Sequence, residues 1–252
     1  MYLHDAFARI REGFAMSVTE STDVTIRDIV TSDNDGSGVS IDGFIDGRMS
    51  SRVTIDNLKA HDNGWQGLTF WGATGAVATN IVAFNNGLAG INVEWSDGIT
   101  IRDAVTYGNG RRGFNTYGVS TDIRVERLRS QGNGIGNRDG AEIGMEAWRW
   151  HFPDAETGVV AVGIVQNIGF YDCRIRPARG YPHVLVNPAL EGSPTNTRVP
   201  HTIILASPGA NRWVFSYASI RVRGRQLKQF NEDTYGVPLV TEEATLVGAT
   251  KP

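Results

Sequence analysis

The sequence predicts an all-β solenoid: a parallel β-helix of about 23 residues per coil with capping segments at both ends. Three observations predict it. Related segments recur at a fixed offset. Apolar residues inside each segment alternate with period two, which is strand rather than helix periodicity. Glycine reaches 30 of 252 residues, well above the usual ~7%.

The repeat is plainest in the middle of the chain. The segments beginning at Asp62, Asn85 and Gly108 are each 23 residues apart, and Asn133-Gly134 continues the series at an offset of 24 from Asn109. Looking backward, Asn34, Gly38, Val39 and Ile41 match Asn63, Gly67, Leu68 and Phe70 at an offset of 29, which makes Gly43–Ser51 a longer loop. Three apolar columns follow. They are Ile26, Ile55, Ala78, Ile101 and Val125; then Ile29, Leu58, Ile81, Ala104 and Leu128; then Val39, Leu68, Ile91 and Phe114. Each coil is expected to hold about three short strands, stacked on equivalents ~4.8 Å away.

Two Asx columns suit the corners. Asn34, Asn63, Asn86, Asn109 and Asn133 form one; Asp28, Asn57, Asn80 and Asp103 form the other. Asn tolerates left-handed backbone, and stacked amides can hydrogen-bond along a column. Gly38, Gly67, Gly90 and Gly113 mark a tight position.

Coils are expected over 13–175, with a loop insertion near 147–157 that carries Trp148, Trp150 and His151. Residues 1–12 read as an N-terminal cap, with Met1–Arg11 a short amphipathic helix. Residues 176–252 read as loop-rich final coils and a cap, with Pro177–Pro200 as loop and strands at Val214–Tyr217 and Ile220–Arg223. Phe170 falls in the column of Ile55, and Cys173, in that of Leu58, becomes a core residue.

Composition excludes several classes. A net charge of −3, with 24 Lys+Arg against 27 Asp+Glu, leaves no basic footprint for nucleic acid. No apolar stretch approaches the ~20 residues that cross a bilayer. The opening residues MYLHDAFARIREGF lack the apolar run of a secretory signal. One cysteine permits neither a disulfide framework nor a Cys-based metal site.

The repeat units resemble those of right-handed, single-stranded parallel β-helix proteins, the pectate-lyase-like superfamily, and most of all its short-repeat NosD-type members. The resemblance implies a polysaccharide as partner, cleaved by hydrolysis or elimination or simply bound, and an extracellular or virion-associated setting. It also implies further coils ahead of Gly13 in full-length members. The Gly-His-Gly and Arg-Ile-Lys segments of polygalacturonase-like hydrolases and the Tyr-Gly-Phe-Asp-Pro-His segment of mannuronan epimerases are missing. Alternatives are therefore a non-catalytic glycan-binding spike and a structural trimeric rod.

The candidate site is an outward column: Ser17, Asp42, Trp71, Glu94, Tyr117 and Gly144. It mixes carboxylates, which transfer protons, with aromatic faces, which stack on sugar rings. Asp42 and Glu94 are the expected catalytic pair, two coils or about 9–10 Å apart. Trp71, Tyr117, Trp95, an outward Glu142 and Arg102 are expected to bind substrate. The blander reading makes Glu94 a solvated strand residue and Arg102 a surface ion-pair partner of Glu126.

Weaker candidates are the His61-Asp62 pair and a calcium ion held by Asp33, Asp35, Asp42 and Asp46, a spacing that matches no recognised calcium loop. Arg111-Arg112 reads as a solvated pair near a corner. Arginine outnumbers lysine 21 to 3, which suits planar contacts to carboxylates.

Overall fold

Period-two apolar alternation leaves each strand one face to bury, and stacking the strands on their repeats buries it. In the computed structural model this produces a parallel β-helix. The described residues are 13–43, 48–117, 120–137, 140–146, 165–176 and 178. To these are added short strands at Tyr2–His4, Arg149–Trp150, Ala161–Val162, Val184–Asn187, Ile203–Ala206, Arg221–Val222 and Arg225–Gln226. No helix occurs among them, and hence none long and apolar enough to cross a membrane.

Two parallel sheets form the walls. The first carries the long strands Thr25–Ser32, Thr54–His61, Val77–Phe84, Thr100–Tyr107, Ser120–Glu126 and Val165–Tyr171. The second carries the shorter strands Met16–Thr19, Val39–Asp42, Leu68–Trp71, Ala89–Glu94, Arg112–Tyr117 and Ala141–Glu146. Two-residue strands at Ser50–Ser51 and Ala73–Thr74 close a third side. Every expected apolar column is in register: Ile26 pairs with Ile55, Ile55 with Ala78, Ala78 with Ile101, and Ile101 with Val125. These residues are buried and form one continuous core.

The two Asx columns do different jobs. Asp28, Asn57, Asn80 and Asp103 have φ of 53–57°; each bends a long strand in mid-course, so two expected short strands form one kinked strand. The buried asparagines do not take the left-handed turn. That falls to the residues just before them: Asp33, Asp62, Asn85, Gly108 and Gly132, with φ of 54–64°. The asparagine side chains point inward and join coil to coil. Nδ2 donates to the next Oδ1 at 2.7 Å from Asn34 to Asn63, 2.9 Å from Asn63 to Asn86, 2.9 Å from Asn86 to Asn109, and 2.8 Å from Asn109 to Asn133. Each Oδ1 also accepts the backbone N–H of the asparagine one coil earlier.

The glycine column exists to make room for that ladder. A Cβ at Gly90 would stand 2.8 Å from Asn109 Nδ2 and 2.9 Å from Thr106 Cγ2. Any side chain there displaces the row.

Outside the core coils, three expectations change. Tyr2–His4 is a strand paired with Val30–Ser32 rather than part of a helix, since its backbone groups complete the sheet edge. Val184–Asn187, placed in a loop from its Pro/Asn/Ser-rich surroundings, is a strand paired with Ile143–Glu146. Arg221–Val222 pairs antiparallel with Arg225–Gln226 instead of stacking as a coil. Val214–Tyr217, Trp148 and His151 lie outside the described residues.

Cys173 is wholly buried, and burial pushes its thiol up to about 12. Only thiolate reacts appreciably. The expected outcome is no labelling of the folded chain by a thiol reagent at neutral pH and one equivalent after denaturation.

Candidate functional site

On the short-strand sheet, residues two apart share a face. Val39 and Ile41 enter the core, so Ser40 and Asp42 point outward. Repetition turns these two positions into parallel rows. One row reads Ser17, Ser40, Thr69, Asn92, Asn115 and Gly144. The other reads Thr19, Asp42, Trp71, Glu94, Tyr117 and Glu146. The structure thus aligns Asp42, Trp71, Glu94 and Tyr117 as expected. It moves Ser17 and Gly144 into the neighbouring row, because an offset of 23 sets Thr19 beside Asp42 and a longer one of 29 sets Glu146 beside Tyr117.

The first row is a floor of small polar side chains. A corner column of Trp65, Leu88 and Arg111, linked along the axis by backbone hydrogen bonds, forms one wall. Trp65 is 45% exposed and packs edge-on against Phe14, with ring centroids 6.3 Å apart. Trp71, 37% exposed, rises on the other side. Between them a cleft of about 190 Å³ is lined by Phe14, Ser37, Ser40, Trp65, Gln66, Thr69, Trp71 and Glu94. Trp65, Thr69 and Gln66 escaped sequence reasoning: Trp65 sits at a corner, where no alternation marks it.

The two carboxylates are held differently. Asp42, 8% exposed, receives Ser17 Oγ at 2.7 Å and a short bond from Ser40 Oγ. Glu94 is half-buried and faces Asn92 Nδ2 at 3.4 Å and Trp95 Nε1 at 3.3 Å. Trp71 stands between them in register, so their backbones are two strand spacings apart, about 9–10 Å.

Asp42 and Tyr117 lie in the row, and Trp95 beside it, without lining the cleft, and Arg102 and the weaker candidate His61 stand on the other sheet. Arg102 is on the long-strand sheet, in the column of Thr79 and Glu126, and its Nε meets Glu126 Oε2 at 3.1 Å. Glu126 also binds Arg124, and these cations hold its carboxyl below the usual range. His61 lies on the same sheet, with Nδ1 2.6 Å from Asp62 Oδ2, stacked on Phe84, which stacks on Tyr107.

Glu142 requires a correction. It does not face outward; it is fully buried, in the register of Gly113. Glu142 follows Asn133 by nine residues where Gly113 follows Asn109 by four, and this longer spacing sets it in the glycine column, where a side chain points at the ladder. Its carboxylate closes the asparagine ladder, accepting Asn133 N at 3.0 Å, Ser130 Oγ at 2.6 Å, and Asn133 Nδ2. Burial raises its pKa despite these donors. For a carboxyl raised by folding, protonation favours the folded state. Stability from this group therefore grows as pH falls through the raised value and is complete below the ordinary glutamate range. Melting temperatures measured from neutral pH downward are expected to gain less on acidification in Glu142→Gln than in the parent.

Arg112 also departs from expectation: it is 1% exposed, not solvated, and Nη1 donates to Asn115 Oδ1 at 2.8 Å. Among the described residues no group of three or more His, Cys, Asp or Glu could hold a metal ion; Asp46 of the expected calcium set lies outside them.

Comparison with known proteins bears on the fold. Residues 8–146 match the family described as right handed beta helix region. No curated protein matches the chain. Among solved structures, the A-module of a mannuronan C-5 epimerase from Azotobacter vinelandii is 13% identical, covering 74% of this chain and 58% of its own, with a TM-score of 0.40. The catalytic domain of an α-1,3-glucanase, solved with tetrasaccharides, is 12% identical, covering 79% and 42%, with a TM-score of 0.41. A pectate lyase is 13% identical, covering 84% and 68%, with a TM-score of 0.31. The chain thus spans 58% of the epimerase module and 42% of the glucanase domain it matches.

Proposed function

We propose a function for a chain that belongs to the right-handed β-helix family: its short-strand face binds a polysaccharide along the coil axis and hydrolyses it. The observation that carries this reading is the placement of Asp42 and Glu94 on either side of Trp71 above a floor of polar side chains. A tryptophan face covers the apolar face of a sugar ring, and the floor offers hydroxyl and amide partners for sugar hydroxyls.

Two carboxylates about 9–10 Å apart at the backbone suit an inverting hydrolysis, in which a water must fit between sugar and base. Glu94, facing two N–H groups, acts as the base that activates the water. Asp42, which as a carboxylate accepts from the hydroxyls of Ser17 and Ser40, acts in its protonated form, passing that proton to the leaving oxygen.

The test is incubation with a panel of neutral and acidic glycans, followed by measurement of new reducing ends and of the anomer first released. Inverted product with new reducing ends is the expected result. Unsaturated product would replace hydrolysis with elimination. Binding without cleavage would leave the groove a recognition surface, and neither binding nor cleavage of any glycan would overturn the reading. Where a glycan binds, Trp71→Ala is expected to weaken it roughly tenfold, through loss of stacking and covered area; affinity electrophoresis checks this.

A further inference from the structure

We propose that Arg112 is a positioning residue for Glu94, acting at a distance through the side chains of Asn115 and Asn92. Arg112 is 1% exposed, and its chain crosses the next coil where Gly144 leaves space: a Cβ there would stand 2.1 Å from Arg112 Cδ. From its Nη1 a continuous line of hydrogen bonds runs against the coil order. Arg112 Nη1 donates to Asn115 Oδ1 at 2.8 Å, and Asn115 Nδ2 donates to Asn92 Oδ1 at 2.9 Å. Asn92 Nδ2 then faces Thr69 Oγ1 at 3.3 Å and Glu94 Oε2 at 3.4 Å.

The direction of this line is imposed from one end. A guanidinium has five donors, no acceptor, and keeps its charge. It must meet the carbonyl oxygen of the Asn115 amide. The Asn115 NH₂ is thereby turned toward Asn92, whose oxygen must receive it, and the Asn92 NH₂ is left toward Glu94. Rotating either amide would bring two donors or two acceptors face to face. Trp95 Nε1, which can only donate, approaches the other oxygen of Glu94 at 3.3 Å.

Donors aimed at a carboxylate favour its charged form. The relay therefore keeps Glu94 ionised, the state required of a base. Other charged or titratable residues share its register column. Tyr117 stands one coil on, Glu146 follows in the same register, and Asp42 is two coils back. A charged Asp42 would oppose the effect of the relay. The catalytic meaning of the relay rests on the hydrolytic reading above; the relay itself does not.

The test is carboxyl ¹³C NMR titration of the full chain labelled at glutamate, with the Glu94 resonance identified by its loss in Glu94→Gln. Asn115→Leu keeps the size of the side chain and the Arg112 charge but interrupts the line; the expected result is an upward shift of the Glu94 midpoint by about one pH unit. Arg112→Met is expected to raise it at least as far, and Arg112→Lys, which restores an obligate donor, to return it toward the parent value. An unchanged midpoint in Asn115→Leu overturns the proposal, including the case where Arg112→Met alone shifts it, because that pattern means charge acting through space. If Arg112→Met does not fold, Asn115→Leu alone decides. If no glycan is cleaved, the hydrolytic reading fails while the titration still returns its answer. If one is cleaved, the acid limb of kcat/KM is expected to move with the midpoint.

Discussion

Glu94→Gln is expected to reduce kcat on the cleaved glycan by roughly 10²–10⁴-fold, the usual contribution of a positioned acid or base. The substitution keeps the length and shape of the side chain. It keeps an oxygen for one of the two donors, Asn92 Nδ2 or Trp95 Nε1, and turns its NH₂ toward the other, a mismatch that this half-buried side chain can relieve by turning to solvent. Folding and glycan affinity should therefore survive, and the loss should fall on kcat rather than KM. Rates of reducing-end release and equilibrium binding, measured on the same preparation, separate the two. A fully active Glu94→Gln chain would mean that the reacting carboxylate lies elsewhere.

The largest structural effect is expected from Asn86→Ala. Asn86 Oδ1 receives both Asn63 Nδ2 at 2.9 Å and Asn63 N at 3.2 Å, and its own Nδ2 reaches Asn109 Oδ1 at 2.9 Å and Ala60 O at 3.1 Å. All these groups are buried. Truncation removes the acceptor that Asn63 Nδ2 and Asn63 N share and the side-chain donor to the Ala60 carbonyl at once. Each unsatisfied buried group costs about 1–3 kcal/mol, so the sum is on the order of 3 kcal/mol or more. Truncating an exposed Asx at a kink, such as Asn80→Ala, removes only a surface bond to Asp56, although it also forces alanine into positive φ. Chemical denaturation of both variants checks the order: Asn86→Ala should be the less stable.

What the sequence discloses follows from repetition. Columns that recur at 23, such as Ile55, Ala78 and Ile101, declare their neighbours because strand stacking is periodic. The alignment of Asp42, Trp71, Glu94 and Tyr117 was legible for the same reason. Errors cluster where the period breaks. The insertion before Gly140 hid that Gly144 pairs with Asn115 and that Glu142 falls in the glycine column, while Ser17 lies two residues short of the regular match to Asp42. Arg112 was illegible for another reason. Its burial depends on a missing side chain at Gly144, one coil away, and nothing in the local pattern around Arg111-Arg112 announces it. The inward direction of the asparagines was hidden too, since the left-handed residue is their immediate neighbour.

The carboxylate of Glu142 has a consequence for how such a chain can grow. An asparagine presents both a donor and an acceptor and can be continued indefinitely in either direction; a carboxylate only receives, and so acts as a full stop. Extra windings copied from the stretch between Asn63 and Asn109 would splice in seamlessly, each lengthening the polar track by one strand spacing. The same copy placed after Glu142 would meet a ladder already closed, so that row ends there while the sheets run on through Val165–Tyr171 and Val184–Asn187.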